Sequence, residues 1–230
     1  AAANTSFANA TGLELVVDQF AVGASTISLP AGANAKIYAN ADATAVATVN
    51  FAATATAGTV TLDKFKTNTA VDLAVTGTKL AALTVTTTGS ASTVGNLNVG
   101  AVTKTVNVNG SANLTVTDAL EEAIEVVNAS GFTGKLNIST ANQATSPDAA
   151  VSLVDVTDLT VTGGTGADTI NVSANAADNE ISVNAGDGND IVTIKAATAY
   201  TAATATNAGD SIVGGDGIDT IFGQNGDDIL

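Results

Sequence analysis

Five short stretches in the last third of the chain place a carboxylate next to glycines at a fixed distance. Gly163-Gly164-Thr165-Gly166-Ala167-Asp168-Thr169-Ile170-Asn171 fits the pattern G-G-x-G-x-D-x-U-x, with U a large apolar residue, and Gly214-Gly215-Asp216-Gly217-Ile218-Asp219-Thr220-Ile221-Phe222 fits it again. A near copy starts at Ala185 and holds Asp187, Gly188 and Asp190, with alanine in place of the first glycine. Another starts at Gly223 and holds Asn225, Asp227 and Asp228, with glutamine in place of the second glycine. A degenerate copy from Ala205 to Val213 keeps Asp210 and Ile212 in register. Glycine permits the tight, positive-φ turns in which backbone carbonyls converge on an ion. Aspartate adds the hard, charged oxygen that calcium prefers. The chemistry implied is therefore oxygen coordination of a hard divalent cation, with the U residue turned into the core.

The candidate ligands are Gly163, Thr165, Gly166 and Asp168 in the first copy, Asp187, Gly188 and Asp190 in the second, and Asp210 in the third. Gly214, Asp216, Gly217 and Asp219 follow, and then Asn225, Asp227 and Asp228. The starts at 163, 185, 205 and 223 are 22, 20 and 18 residues apart. If two nonapeptides make one coil, those four turns line one edge and the turn at 214 lies on the opposite edge. An EF-hand does not fit, because its loop needs a glutamate at the twelfth position, and none follows Asp187 or Asp216 at that distance. A loop-rich β protein with metal-free Asp-Gly turns is the plainer alternative.

The elements that must carry these turns show up as a second rhythm. Apolar pairs of the form U-x-U recur at Leu73/Val75, Leu83/Val85, Leu97/Val99, Val106/Val108, Leu114/Val116, Leu136/Ile138, Leu159/Val161, Ile170/Val172 and Ile181/Val183. Alternation of this kind is the period of a strand. Short, regular strands suit a solenoid or a sandwich, and the rhythm runs unbroken into the glycine–aspartate turns, which favours the solenoid. Residues 118–128 read either as a helix opened by the capping box Asp118-Ala119-Leu120-Glu121 and running through Val127 or, at Ile124-Glu125-Val126, as another U-x-U strand; the turn signal at 128–134 favours the strand. Residues 1–70 are less regular and read as a separate β domain or as further coils, with strands near 13–17, 26–29, 36–38 and 59–62. The expected division is 1–70, 71–162 and 163–230.

Composition narrows the function. The 230 residues contain no Cys, His, Met, Trp or Arg, six Phe and two Tyr. Without histidine, neither H-E-x-x-H nor a Ser-His-Asp triad can be built, and no G-x-S-x-G elbow occurs. Glu121 and Glu122 are adjacent, so on a strand they face opposite ways and do not form a glycosidase pair. The expectation is that the chain is not an enzyme. Net charge is −15, and from residue 151 onward eleven Asp and one Glu face one Lys, giving 1 − 12 = −11. Such a chain has no basic face for nucleic acid. It repels itself until counter-ions arrive, so metal binding supplies folding free energy. No run reaches the ~18 apolar residues of a membrane helix, and the start, Ala1-Ala2-Ala3-Asn4, does not read as a signal peptide. Lacking an initiator Met and ending inside a repeat, the chain reads as a piece of something longer.

The phrase at 163–171 and its copies resemble the RTX family, calcium-binding exoproteins of Gram-negative bacteria exported by type I secretion. The resemblance covers 163–230 and implies several bound calcium ions. It makes the sixth-position residues Asp168, Asp190, Asp219 and Asp228, with Asp210 the weaker case, side-chain ligands completed by turn carbonyls. The threonine-rich U-x-U repeats and the phrase Asn128-Ala129-Ser130-Gly131-Phe132-Thr133-Gly134 look like type I-secreted bacterial S-layer proteins. That resemblance implies a structural cell-surface subunit that self-associates into a two-dimensional array. Its anchor would be envelope polysaccharide or lipopolysaccharide, through a region the sequence does not mark. The alternative is a calcium-stabilised RTX adhesin or binding module of a larger secreted protein. The fold expected is all-β, a right-handed parallel β-solenoid with calcium-binding β-roll turns toward the C-terminus.

Overall fold

A computed structural model of the chain describes residues 4–6, 14–17, 25–38, 47–67, 72–120, 123–139, 159–173, 181–195 and 211–222. Every strand in it is short because each must end at a corner. In chain order they are β1 (Asn4–Ser6), β2 (Glu14–Val17), β3 (Ser25–Leu29), β4 (Asn34–Tyr38), β5 (Ala47–Phe51), β6 (Ala57–Asp63) and β7 (Asp72–Thr76). There follow β8 (Ala82–Thr87), β9 (Ser92–Val94), β10 (Asn96–Val99), β11 (Thr105–Gly110), β12 (Leu114–Ala119), β13 (Val126–Asn128) and β14 (Leu136–Ser139). The last six are β15 (Leu159–Thr162), β16 (Thr169–Ser173), β17 (Ile181–Asn184), β18 (Ile191–Lys195), β19 (Ser211–Val213) and β20 (Thr220–Phe222). No helix occurs among the described residues.

These strands form three parallel sheets that make a β-solenoid. The first runs β1-β3-β5-β7-β10, the second β2-β4-β6-β8-β11-β13-β15-β17-β19, and the third β9-β12-β14-β16-β18-β20. The second sheet is the spine. Its strands stack in register, so that Gly58, Leu83, Val106, Val127, Val161, Val183 and Ile212 form one inward column. The outward column beside it is Thr59, Thr84, Asn107, Asn128, Thr162, Asn184 and Val213. The chain alternates between the first and second sheets as far as β8. It touches all three in β9–β11, then alternates between the third and second. The lower edge of the third sheet is covered by residues 65–67, where Thr93 N–H donates to Phe65 O at 2.7 Å and Thr67 N–H to Thr93 O at 2.9 Å.

All nine U-x-U pairs are buried, as strand alternation requires. One apolar core cluster extends from Ile27 to Ile212. Where an inward position is vacated, a neighbour fills it: the ring of Phe51 lies where a Cβ on Gly58 would stand, 2.6 Å from that point. Near 124–128 the strand reading holds, with one correction. The inward residue of β13 is Val127, one residue later than expected, while Ile124 is buried just before the strand. Strand β5 lies within the alanine–threonine stretch 41–57, outside the strands expected from the sequence, and Val49 and Phe51 point inward there.

Leu83 sits in the middle of the spine and is fully buried. Leu83→Ala should cost about 2–5 kcal/mol and lower the urea midpoint, read by far-UV circular dichroism. A midpoint equal to the unsubstituted chain's would contradict the packing described.

Candidate metal centre

At the corner from the second sheet to the third, one turn of each coil lies over the turn below. Asp187 N–H donates to Gly164 O at 3.0 Å, Gly188 N–H to Asp216 O at 2.8 Å and Asp216 N–H to Gly186 O at 3.2 Å. The turns at 163, 185 and 214 therefore share one edge, which corrects the expectation that 214 lies opposite. The reason is coil length. The step between Asp168 and Asp190 is 22 residues, but that between Asp190 and Asp219 is 29. Chain added between β18 and β19 carries the 214 turn back onto the 185 turn. Of the copy at 205, the described residues contain Ile212, buried in β19. Asp210, Asn225, Asp227 and Asp228 lie outside the described residues.

Stacking explains the glycines. Gly164 faces Phe132 O, Gly186 faces Gly164 O and Gly215 faces Gly186 O; in a second column Gly166 faces Gly134 O, Gly188 faces Gly166 O and Gly217 faces Gly188 O. A Cβ at any of these positions would overlap a backbone oxygen of the next coil. Gly186, Gly188, Gly215 and Gly217 also have φ of 96°, 142°, 99° and 141°, the left-handed region that favours glycine. Alanine at 185 is harmless: it is fully buried and does not adopt positive φ. Gly163 is buried and donates its N–H to Asn184 O at 2.7 Å, Gly214 lies against the Asp219 carboxylate, and Thr165 is exposed with its N–H on Phe132 O at 2.9 Å.

The sixth-position aspartates form a ladder. Each reaches to the coil beneath: Asp168 Oδ1 accepts from Leu136 N–H at 2.8 Å, Asp190 Oδ1 from Asp168 N–H at 2.8 Å and Asp219 Oδ1 from Asp190 N–H at 3.0 Å. Sequence reasoning missed the fifth-position asparagines, which reach the other way: Asn113 Oδ1 accepts from Lys135 N–H at 3.0 Å and Asn189 Oδ1 from Ile218 N–H at 2.9 Å. It also missed that Phe132-Thr133-Gly134 is the stacking partner of Gly164-Thr165-Gly166, although the shared x-Thr-Gly spacing signals it.

Asp168 and Asp190 are each only 1 % exposed. Burial raises the Asp168 carboxyl above its ordinary value, against backbone donors from Leu136 and Gly164 and the charge of Lys135. Burial also raises Asp190, eased by the Asp168 N–H and reinforced by the charges of Asp168, Asp219 and Asp187. Asp190 Oδ2 has no hydrogen-bond partner, the condition a cation would relieve. Asp187 and Asp216 are exposed and bridge partners, which sets like charges on strands about 4.7–4.9 Å apart. Among the described residues no three acidic side chains converge on one point. A cation on this edge would use turn carbonyls beside any carboxylate, the mixed oxygen shell that suits calcium.

The sequence model of the RTX calcium-binding nonapeptide repeat matches residues 160–176 and 204–230, in four copies. The chain carries RTX repeats, which bind calcium ions. The match passes over 185–190, the turn that the structure places at the centre of the stack. No curated protein and no solved structure matches the chain.

Raised carboxyl values set the sign of a pH effect. In calcium-free protein the folded edge holds protons more tightly than the unfolded chain. The stability these two groups contribute is fully present below the ordinary carboxyl value of 3.8 and is lost as pH rises through the higher folded values of Asp168 and Asp190. Calcium needs the ionised form of a carboxylate that binds it, as at the unpartnered Asp190 Oδ2, so bound metal reverses the trend. Melting of calcium-depleted protein should occur at higher temperature in mild acid than at neutral pH, with the opposite order in millimolar calcium. The same order in both would contradict this electrostatic account.

Proposed function

We propose that the chain is a calcium-dependent structural protein of the bacterial cell surface, an S-layer subunit or part of one, that folds and self-associates outside the cell. The observation that carries the calcium part is the buried, unpartnered Asp190 Oδ2 within a ladder of stacked carboxylates. Such an edge repels itself without a cation and closes with one. Proteins with RTX repeats are typically secreted by type I systems. In a calcium-poor cytoplasm an acidic C-terminal part would stay loose enough for export, and external calcium would then fold it. Several linked sites make that folding steep in calcium.

Two features support assembly. The solenoid offers long uniform faces, among them the outward threonine–asparagine column of the spine. Large exposed apolar side chains gather on the last two described coils: Ile191 at 44 %, Val213 at 52 %, Ile218 at 81 % and Phe222 at 54 % exposure. A second copy of the chain is the partner we assign to these exposed side chains at the corner and on the two flanking sheets, with envelope polysaccharide or lipopolysaccharide as anchor. A second reading, an RTX adhesin or binding module of a larger secreted protein, draws on the uncharged threonine–asparagine column along the spine, from Thr59 to Asn184.

Negative-stain electron microscopy of the purified chain decides between them. Ordered sheets in millimolar calcium that disperse on chelation are the expected result. Dispersed particles in both conditions would overturn the lattice reading and favour the binding module.

A further inference from the structure

The aspartates that share the sixth position of the motif are not equivalent. Asp168 has a donor on each oxygen, Leu136 N–H on Oδ1 at 2.8 Å and Gly164 N–H on Oδ2 at 3.0 Å. The register that pairs Asn137 with Thr169 puts Leu136 directly beneath it, and Leu136 is a fully buried apolar side chain with no oxygen to share. The coil below therefore supplies no second carboxylate at this step, and the charge of Lys135 offsets part of the burial that raises Asp168.

Asp190 is placed differently. Its Oδ1 accepts from Asp168 N–H, while Oδ2 has no partner although the residue is 1 % exposed. Its charged neighbours are Asp168 and Asp219 in the adjoining coils and Asp187 in its own turn. A buried carboxylate with a backbone donor on each oxygen has its hydrogen bonds made by protein alone. A buried oxygen without a donor, among like charges, is satisfied only when a cation arrives.

We propose that Asp168 is a calcium-independent fastener joining the repeat stack to the coil of residues 114–139, and that the calcium ladder begins at Asp190. The inference rests on the calcium reading above and narrows it: the seam between β14 and β16 closes without metal, and the coils beyond it wait for the ion. The N-terminal solenoid is then a finished template on which calcium adds further coils.

The test uses the full chain, its Asp168→Asn and Asp190→Asn variants, and calcium alone as the probe. Bound ions are counted by equilibrium dialysis, and exchange of the Leu136 amide is followed with and without calcium. Asp190→Asn should bind at least one ion fewer, or need about 10-fold or more calcium to fold. Asp168→Asn, whose remaining side-chain oxygen still accepts from Leu136 N–H while its amide faces Gly164 N–H, should keep the full ion count and keep the Leu136 amide protected without calcium. In the unsubstituted chain the Leu136 amide should be protected before calcium is added. An ion lost in Asp168→Asn, or a Leu136 amide that becomes protected only with calcium, would overturn the proposal. Should Asp168→Asn fail to fold, the Leu136 amide of the unsubstituted chain decides alone. A chain that binds no calcium at all would instead sink the calcium reading, while Leu136 protection would still report on the fastener.

Discussion

Parallel, in-register stacking of coils is the constraint from which the rest of this structure follows. A parallel ladder sets each residue over its counterpart about 4.8 Å away. For apolar side chains that repetition is an advantage. One column of valines, leucines and isoleucines, from Leu83 to Ile212, makes a continuous core without any large aromatic centre. For carboxylates it is a liability. Asp190 is held between Asp168 and Asp219, and Asp187 lies against Asp216. The same geometry that builds the core thus creates a charged edge that a divalent cation can neutralise.

Stacking also governs the corner backbone. Glycine is required there less by a single turn than by the carbonyl of the coil next to it, which leaves no room for a Cβ at Gly164, Gly186 or Gly215. The requirement starts before the repeats do. Gly110 and Gly134 face Thr87 O and Ala112 O in the same way. The metal-binding turns are therefore a late elaboration of a corner that already exists in the coils beneath, with Leu114 and Leu136 where the repeats have aspartate.

Much of this was legible from the residues. The U-x-U pairs located the strands because inward positions must be apolar in every coil, and the sixth-position aspartates located the edge because their neighbours are glycines. Coil length was not legible. The pattern specifies what faces inward but not how much chain passes between strands, so counting nonapeptides put the turn at 205 where the structure puts the turn at 214. The exchange of the first sheet for the third near β9–β10 was hidden for a similar reason, since the pair Leu97/Val99 marked β10 while Ser92–Val94, with no U-x-U pair, went unmarked. The different surroundings of Asp168 and Asp190 depend on which coil lies beneath each, and local sequence does not record that.

The chain thus combines a solenoid of modest charge, 6 − 10 = −4 over residues 1–150, that packs by apolar repetition with a more acidic end that carries calcium-binding repeats. The most direct test is calcium-anomalous X-ray diffraction from crystals grown in calcium. The account predicts anomalous peaks between the stacked turns, within the ~2.3–2.6 Å of a calcium–oxygen bond from Asp190 Oδ2. Peaks confined to the exposed Asp187 and Asp216 carboxylates, or none on this edge, would contradict it.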